Sequence, residues 1–178
     1  MKVFVNVLTS FRLIYTLILP FIKSRMSNIS FIINIVILFL TDWIDGILAR
    51  KYKVQTMFES IMDTIADKTL CIVLLLCLIK KQPFLSVLLL CEIVIAITNI
   101  TATLQGKKTQ SQISGKVKMW FISVTIIMSF LNTFELIDNV FVIIGLTITL
   151  IAEIITIIDY IKNIRKQKDI LEVKTEIK

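Results

Sequence analysis

The chain has 178 residues, 56% of them hydrophobic, a mean hydropathy of +0.86 and a net charge of +7. That apolar share lies outside the range of soluble domains and within that of membrane proteins. The 20 Lys and Arg lie between apolar runs and at the end without aromatic interleaving, a pattern of membrane-surface topology and not of nucleic-acid binding.

In chain order, apolar runs long enough to span a bilayer, roughly 17 to 25 residues each, fall at 3–22, 29–50, 61–79, 83–104, 117–136 and 140–161. The expected fold is all-α and integral to the membrane, with six transmembrane helices. The first run is expected to stay attached, because Arg12 interrupts it, it continues through Pro20, and no small-residue cleavage site precedes Lys23. The stretch from Gln105 to Ser114 is the most polar in the interior and reads as a loop before the fifth span. The domain division is a membrane domain over 1–161 and a basic cytoplasmic tail over 162–178. Lys162, Arg165, Lys166 and Lys168 suit that tail to anionic lipid or to ordinary anchoring.

Six spans put both termini on one side. Fifteen Lys and Arg fall on that side and four, Lys23, Arg25, Lys80 and Lys81, on the other, with Lys68 inside a span. Both termini are therefore expected to be cytoplasmic, in a multi-pass protein of the cell membrane. Cys71, Cys77 and Cys91 lie in apolar runs with no Cys-x-x-Cys spacing and no histidine in the chain, and read as packing residues.

The chemistry concentrates between Asp42 and Lys68. Asp42, Asp45, Gly46 and Ala49 share one helical face within about a third of the circumference, and Asp63 and Asp67 sit one turn apart on a second helix. Two such helices facing each other would converge four carboxylates at the cytoplasmic ends of spans two and three. Each intramembrane aspartate costs about 2.5 to 3.5 kcal/mol. Neutralisation by Arg50 and Lys68 is one compensation. Metal binding is the other, and an all-oxygen donor set without His or paired Cys suits Mg²⁺ or Mn²⁺, two per site, clamping a phosphate or pyrophosphate. A small ion transporter would also use intramembrane acids, but it leaves the Gly46, Ala49 and Arg50 spacing unexplained.

This stretch resembles the CDP-alcohol phosphatidyltransferase family. The family pattern is Asp, two residues, Asp-Gly, two residues, Ala-Arg, eight residues, Gly, three residues, Asp, three residues, Asp. Asp42, Asp45, Gly46, Ala49, Arg50, Asp63 and Asp67 match it in identity and spacing. The resemblance implies transfer of a phosphatidyl group from CDP-diacylglycerol to an alcohol with release of CMP. Asp42, Asp45, Asp63 and Asp67 would hold metal, Asp67 would act as the base, and Gly46, Ala49 and Arg50 would meet the donor. It also implies a homodimer. Glu59 replaces the second glycine of the pattern, on the stripe of Asp63 and Asp67; it would obstruct the nucleotide, repel its pyrophosphate or add a metal ligand, and the residues leave these open.

Members that use glycerol 3-phosphate are similar beyond the motif. Asn6, Thr9 and Arg12 repeat their opening, Asp67-Lys68 matches their Ala-Asp-Lys ending, Gly115-Lys116-Val117-Lys118 resembles their entry to span five, and Asp159-Tyr160 their last span. Arg12 reads equally as a membrane-end anchor. Those members usually carry Arg-Glu in span four and a second arginine later, where this chain has Cys91-Glu92 and Asn99. Lys107, Lys108, Lys116 and Lys118 remain for an acceptor phosphate, with Lys116 and Lys118 in the matching motif. The expected acceptor is glycerol 3-phosphate. The alternatives are phosphatidylglycerol, as in cardiolipin synthesis, or a catalytically impaired paralogue that binds lipid.

Overall fold

The computed structural model describes the backbone of residues 2–51, 57–104 and 113–176, and the side chains of residues 9–41, 65–98, 115 and 117–162. The described residues form six α-helices and no strand. They are α1 (Lys2–Ile22), α2 (Asn28–Lys51), α3 (Met57–Ile79), α4 (Ser86–Leu104), α5 (Ile113–Thr133) and α6 (Asn139–Glu176), with single 3₁₀ turns at Lys23–Arg25 and Pro83–Leu85. Each apolar run of the sequence falls mainly on one α-helix, except that residues 83–85 form a 3₁₀ turn before α4 and residues 134–136 follow the end of α5. Ile113 and Ser114, read as the end of a loop, are already helical, and residues 105–112 lie outside the described residues. At 38 residues α6 is about 57 Å long, well beyond the roughly 30 Å of a hydrocarbon core, and it continues through Lys162 without a break.

Among the described residues Asn139–Lys162 is long and apolar enough to cross a membrane, and Asn28–Thr41, Pro83–Thr98 and Val117–Thr133 are shorter apolar stretches. The outside of the bundle is itself apolar: Phe21, Ile29, Leu90 and Val140 are among many large side chains left exposed. Polar exposure is what a water-soluble bundle of this size would need on those faces.

The helix α3 lies at the centre, packed against α1, α4 and α5. Its Leu70, Leu74 and Leu78 recur at one turn's spacing and are buried with Leu19, Ile35 and Ile126 from the surrounding helices. Among the described residues α5 and α6 make the most extensive contact in the bundle. A Cβ on Gly145 would sit 3.1 Å from Thr125 Oγ1, and the Thr125 and Thr149 hydroxyls hydrogen-bond at 2.8 Å. Small and hydroxyl-bearing residues at this contact let two membrane helices approach and pair their polar atoms. The turn joining them passes through Glu135 at φ 59°, the left-handed geometry that closes a helix.

One end of the bundle is closed by Lys23. Its Nζ lies 5.1 to 5.6 Å from the ring centroids of Phe31, Phe130 and Phe134. Burial among them lowers the ammonium's pKa, and the ring faces offset part of that desolvation. Lys23→Ala is expected to cost about 1 to 2 kcal/mol, read as a lower melting temperature in detergent, because it removes the cation from all three rings. Nearby, Gln82 Nε2 donates to Ser129 O at 3.1 Å and to Asn132 Oδ1 at 2.9 Å, fixing the α3–α4 connection to the end of α5.

Candidate active site

The motif is divided between two helices. Asp42, Asp45, Gly46, Ala49 and Arg50 occupy the last turns of α2, and Glu59, Asp63 and Asp67 the first half of α3. Both segments are helical, as the face argument requires. Among these residues the side chain of Asp67 is described. Those of Asp42, Asp45, Ala49, Arg50, Glu59 and Asp63, and the surroundings of Gly46, lie outside the described residues. Among the described residues no group of three acids, Cys or His gathers at one point.

Asp67 is met by Arg12. The guanidinium Nη2 donates to Asp67 Oδ1 at 2.8 Å, with Arg12 3% and Asp67 24% exposed. Arg12 interrupts an otherwise apolar α1, and its depth is compensated by this charge-assisted bond. The Thr16 hydroxyl donates to the Arg12 carbonyl at 2.8 Å, and Thr9 is buried one turn earlier on the same face. The Arg12 cation of α1 thus balances the carboxylate that the family pattern ends on.

Lys68 does not serve that purpose. It points to α4, where its Nζ donates to Glu92 Oε2, while Lys118 Nζ from α5 donates to Glu92 Oε1. Glu92 is fully buried and Lys118 is 2% exposed. Glu92 therefore bridges two ammoniums from two other helices. Lys116, two residues nearer the start of α5, has its side chain outside the described residues. At the same end, Gly115 faces Tyr160 of α6: a Cβ on Gly115 would stand 3.7 Å from the Tyr160 hydroxyl. Two segments noted separately in the sequence are thus neighbours.

Glu153 of α6 is the residue that sequence reasoning missed. It is fully buried with the Cys91 thiol of α4 as a weak neighbouring partner, and neither carboxylate oxygen accepts a well-formed hydrogen bond among the described residues. The available signal was an acid inside the most apolar helix, where ionisable groups are rare. Glu153→Leu is expected to stabilise the protein by about 1 to 3 kcal/mol, because it removes an unsatisfied buried group, measured by thermal unfolding in detergent. Cys71 is buried and Cys77 and Cys91 are partly buried, all three as free thiols.

Known proteins align with parts of this chain. A Haemophilus influenzae protein is 42% identical over 43 residues, 24% of this chain and 23% of its own length. A Bacillus subtilis protein is 31% identical over 104 residues, 55% of this chain and 54% of its own. One from Wigglesworthia glossinidia brevipalpis is 40% identical over 79 residues, 41% of this chain and 42% of its own. Each is named a CDP-diacylglycerol–glycerol-3-phosphate 3-phosphatidyltransferase, and the chain spans about half of their lengths or less. No solved structure matches. The family model for CDP-alcohol phosphatidyltransferase matches residues 2–157, a range that runs from α1 through the two motif helices and the first half of α6. With that match and the spacing from Asp42 to Asp67, the chain belongs to the CDP-alcohol phosphatidyltransferase family.

Proposed function

We propose that this protein is a phosphatidylglycerophosphate synthase: it transfers the phosphatidyl group of CDP-diacylglycerol to glycerol 3-phosphate. The acceptor hydroxyl oxygen bonds to the phosphatidyl phosphorus, the pyrophosphate P–O bond breaks, CMP leaves, and Asp67 takes the hydroxyl proton. The observation that carries this reading is Asp67, the last aspartate of the family pattern, held by a buried arginine at 2.8 Å. The relatives' names support the acceptor.

The donor set fits a hard divalent cation, since Asp42 and Asp45 on α2 and Asp63 and Asp67 on α3 offer carboxylate oxygen alone. In this reading those four residues hold two Mg²⁺ or Mn²⁺ ions, which supply charge neutralisation at the pyrophosphate. Gly46 and Ala49 admit the cytidine to the backbone of α2, and Arg50 meets donor phosphate. Lys116 and Lys118 serve the acceptor phosphate, an anion that Lys or Arg ordinarily meets. Arg12 orients Asp67 and balances its charge. Helices α1 to α6 each span the cell membrane, with both termini and the motif ends of α2 and α3 at the cytoplasmic face. The membrane domain runs over 1–161, the tail over 162–178, and the protein is a homodimer. All partners other than lipid are the donor and the alcohol.

A second acceptor class is favoured by one contact. Lys118 is engaged by Glu92, and Cys91 stands where related synthases usually carry arginine, so an alcohol without a dianionic phosphate monoester, phosphatidylglycerol among them, suits the site. The test is CMP release by purified protein in mixed micelles with CDP-diacylglycerol and Mg²⁺ or Mn²⁺, against glycerol 3-phosphate, phosphatidylglycerol, inositol phosphate and serine. Release that requires glycerol 3-phosphate supports the first reading, and release that requires phosphatidylglycerol supports the second. If Glu59 obstructs the nucleotide, Glu59→Gly releases CMP where the parent does not. Silence from both variants with every acceptor refutes phosphatidyl transfer.

A further inference from the structure

Lys68, Glu92, Lys118 and Glu153 come from α3, α4, α5 and α6 into one buried layer. The reaction as drawn assigns a role to Lys118 alone. Glu92 holds the layer together, because one of its oxygens takes Lys68 and the other takes Lys118. Packing does not require such a device. Apolar side chains of similar volume in place of a buried ion triad are often neutral or stabilising, and α3, α4 and α5 already bury Leu70, Leu88 and Ile122 against one another. What apolar packing cannot supply is a fixed position for two ammonium groups.

The two lysines mark functionally distinct places. Lys68 is the residue after Asp67, and Lys118 lies half a turn beyond Lys116 at the start of α5. We infer that Glu92 is a positioning residue for the acceptor: by gripping Lys68 and Lys118 it sets the separation between Asp67 on α3 and the cationic entry of α5. This rests on the phosphatidyl-transfer reading. Glu92 is fully buried and touches no substrate; it acts through the lysines. Without its charge, two buried ammoniums face each other unscreened, and like charges in a low-dielectric interior repel strongly. The entry of α5 then moves away from Asp67. The donor-side residues sit on α2 and at the start of α3, on other helices than Glu92 of α4.

The expected signature is a split between the two substrates. With whichever acceptor gives wild-type turnover, Glu92→Gln raises the acceptor KM by about tenfold or more and leaves the CDP-diacylglycerol KM within about twofold. Glu92→Asp, which keeps the charge on a shorter arm, recovers part of the loss. Glu153→Gln removes a buried acid of the same layer that bridges nothing, and leaves both constants within about twofold. An acceptor KM unmoved in Glu92→Gln, or both constants rising together, overturns the inference. Should Glu92→Gln fail to fold, Glu92→Gln/Lys68→Met removes one ammonium along with the carboxylate and leaves Lys118 in place; a normal acceptor KM in that variant also overturns it.

A distance measurement separates this inference from the reaction reading. Spin labels at Ile65→Cys and Val117→Cys, both exposed positions of α3 and α5, are placed in a chain with Cys71, Cys77 and Cys91 changed to Ala. Adding Glu92→Gln is expected to lengthen or broaden the label separation in detergent. An unchanged distribution refutes the positioning role whatever the protein catalyses, whereas silence of both the wild type and Glu59→Gly with every acceptor refutes phosphatidyl transfer alone.

Discussion

Asp67→Asn is expected to lower CMP release by at least about a hundredfold, the effect typical of losing a positioned general base. The amide is nearly the size of the carboxylate and can still accept a hydrogen bond from Arg12. It can take no proton at neutral pH, and it brings no negative charge to a divalent cation. The comparison requires equal amounts of folded protein, since Arg12 is 3% exposed and faces an uncharged partner in the variant. CMP release normalised to the folded fraction, with the parent measured in the same micelles, gives the answer. Full activity in Asp67→Asn would remove Asp67 from the reaction and leave it a structural partner of Arg12.

Arg12→Ala is expected to be the most damaging change on α1. Breaking a buried ion pair from one side costs about 3 to 5 kcal/mol, and partial exposure of Asp67 puts this pair at the lower end, about 3 kcal/mol. The rate should fall as well, because a carboxylate displaced by about 1 Å from its productive place loses up to about a hundredfold. Arg12→Lys should recover little: an ammonium is a single strongly hydrated point charge and does not reproduce a planar guanidinium's directed donors. Thermal unfolding in detergent and kcat at saturating substrate check the two effects separately. Stability lost with kcat intact would make Arg12 a membrane-end anchor that happens to meet Asp67, the other role its position allows.

The number and approximate places of the six helices were legible because apolar runs are interrupted by charge and turn residues at about bilayer spacing, whereas the continuation of α6 to Glu176 was not. The helical settings of Asp42–Arg50 and Glu59–Asp67 were legible for a related reason: repeats of three and four residues between the acids are meaningful only on a helix. Partner choice was not legible. Lys68, the cation next to Asp67 in sequence, looked like its natural neutraliser, yet successive residues on a helix point about 100° apart. Lys68 turns to α4 and Glu92, and Asp67 turns to α1 and Arg12, 55 residues away. Lys118 shows the same limit. Its motif suggested a cation open to an acceptor phosphate, and its burial against Glu92 depends on how α5 enters the bundle.

Sequence alone determined the all-helical character of the described chain, the positions of its helices and the acids that define its family, because each of these depends on local composition and on spacing along one helix. Tertiary structure decided which charges meet: Arg12 with Asp67, Lys68 and Lys118 with Glu92, and Glu153 with none of the described residues. These pairings join residues 24 to 55 positions apart. They follow from the rotation and depth of whole helices, set by the summed packing of α1, α4 and α5 around α3, and no local pattern encodes that sum.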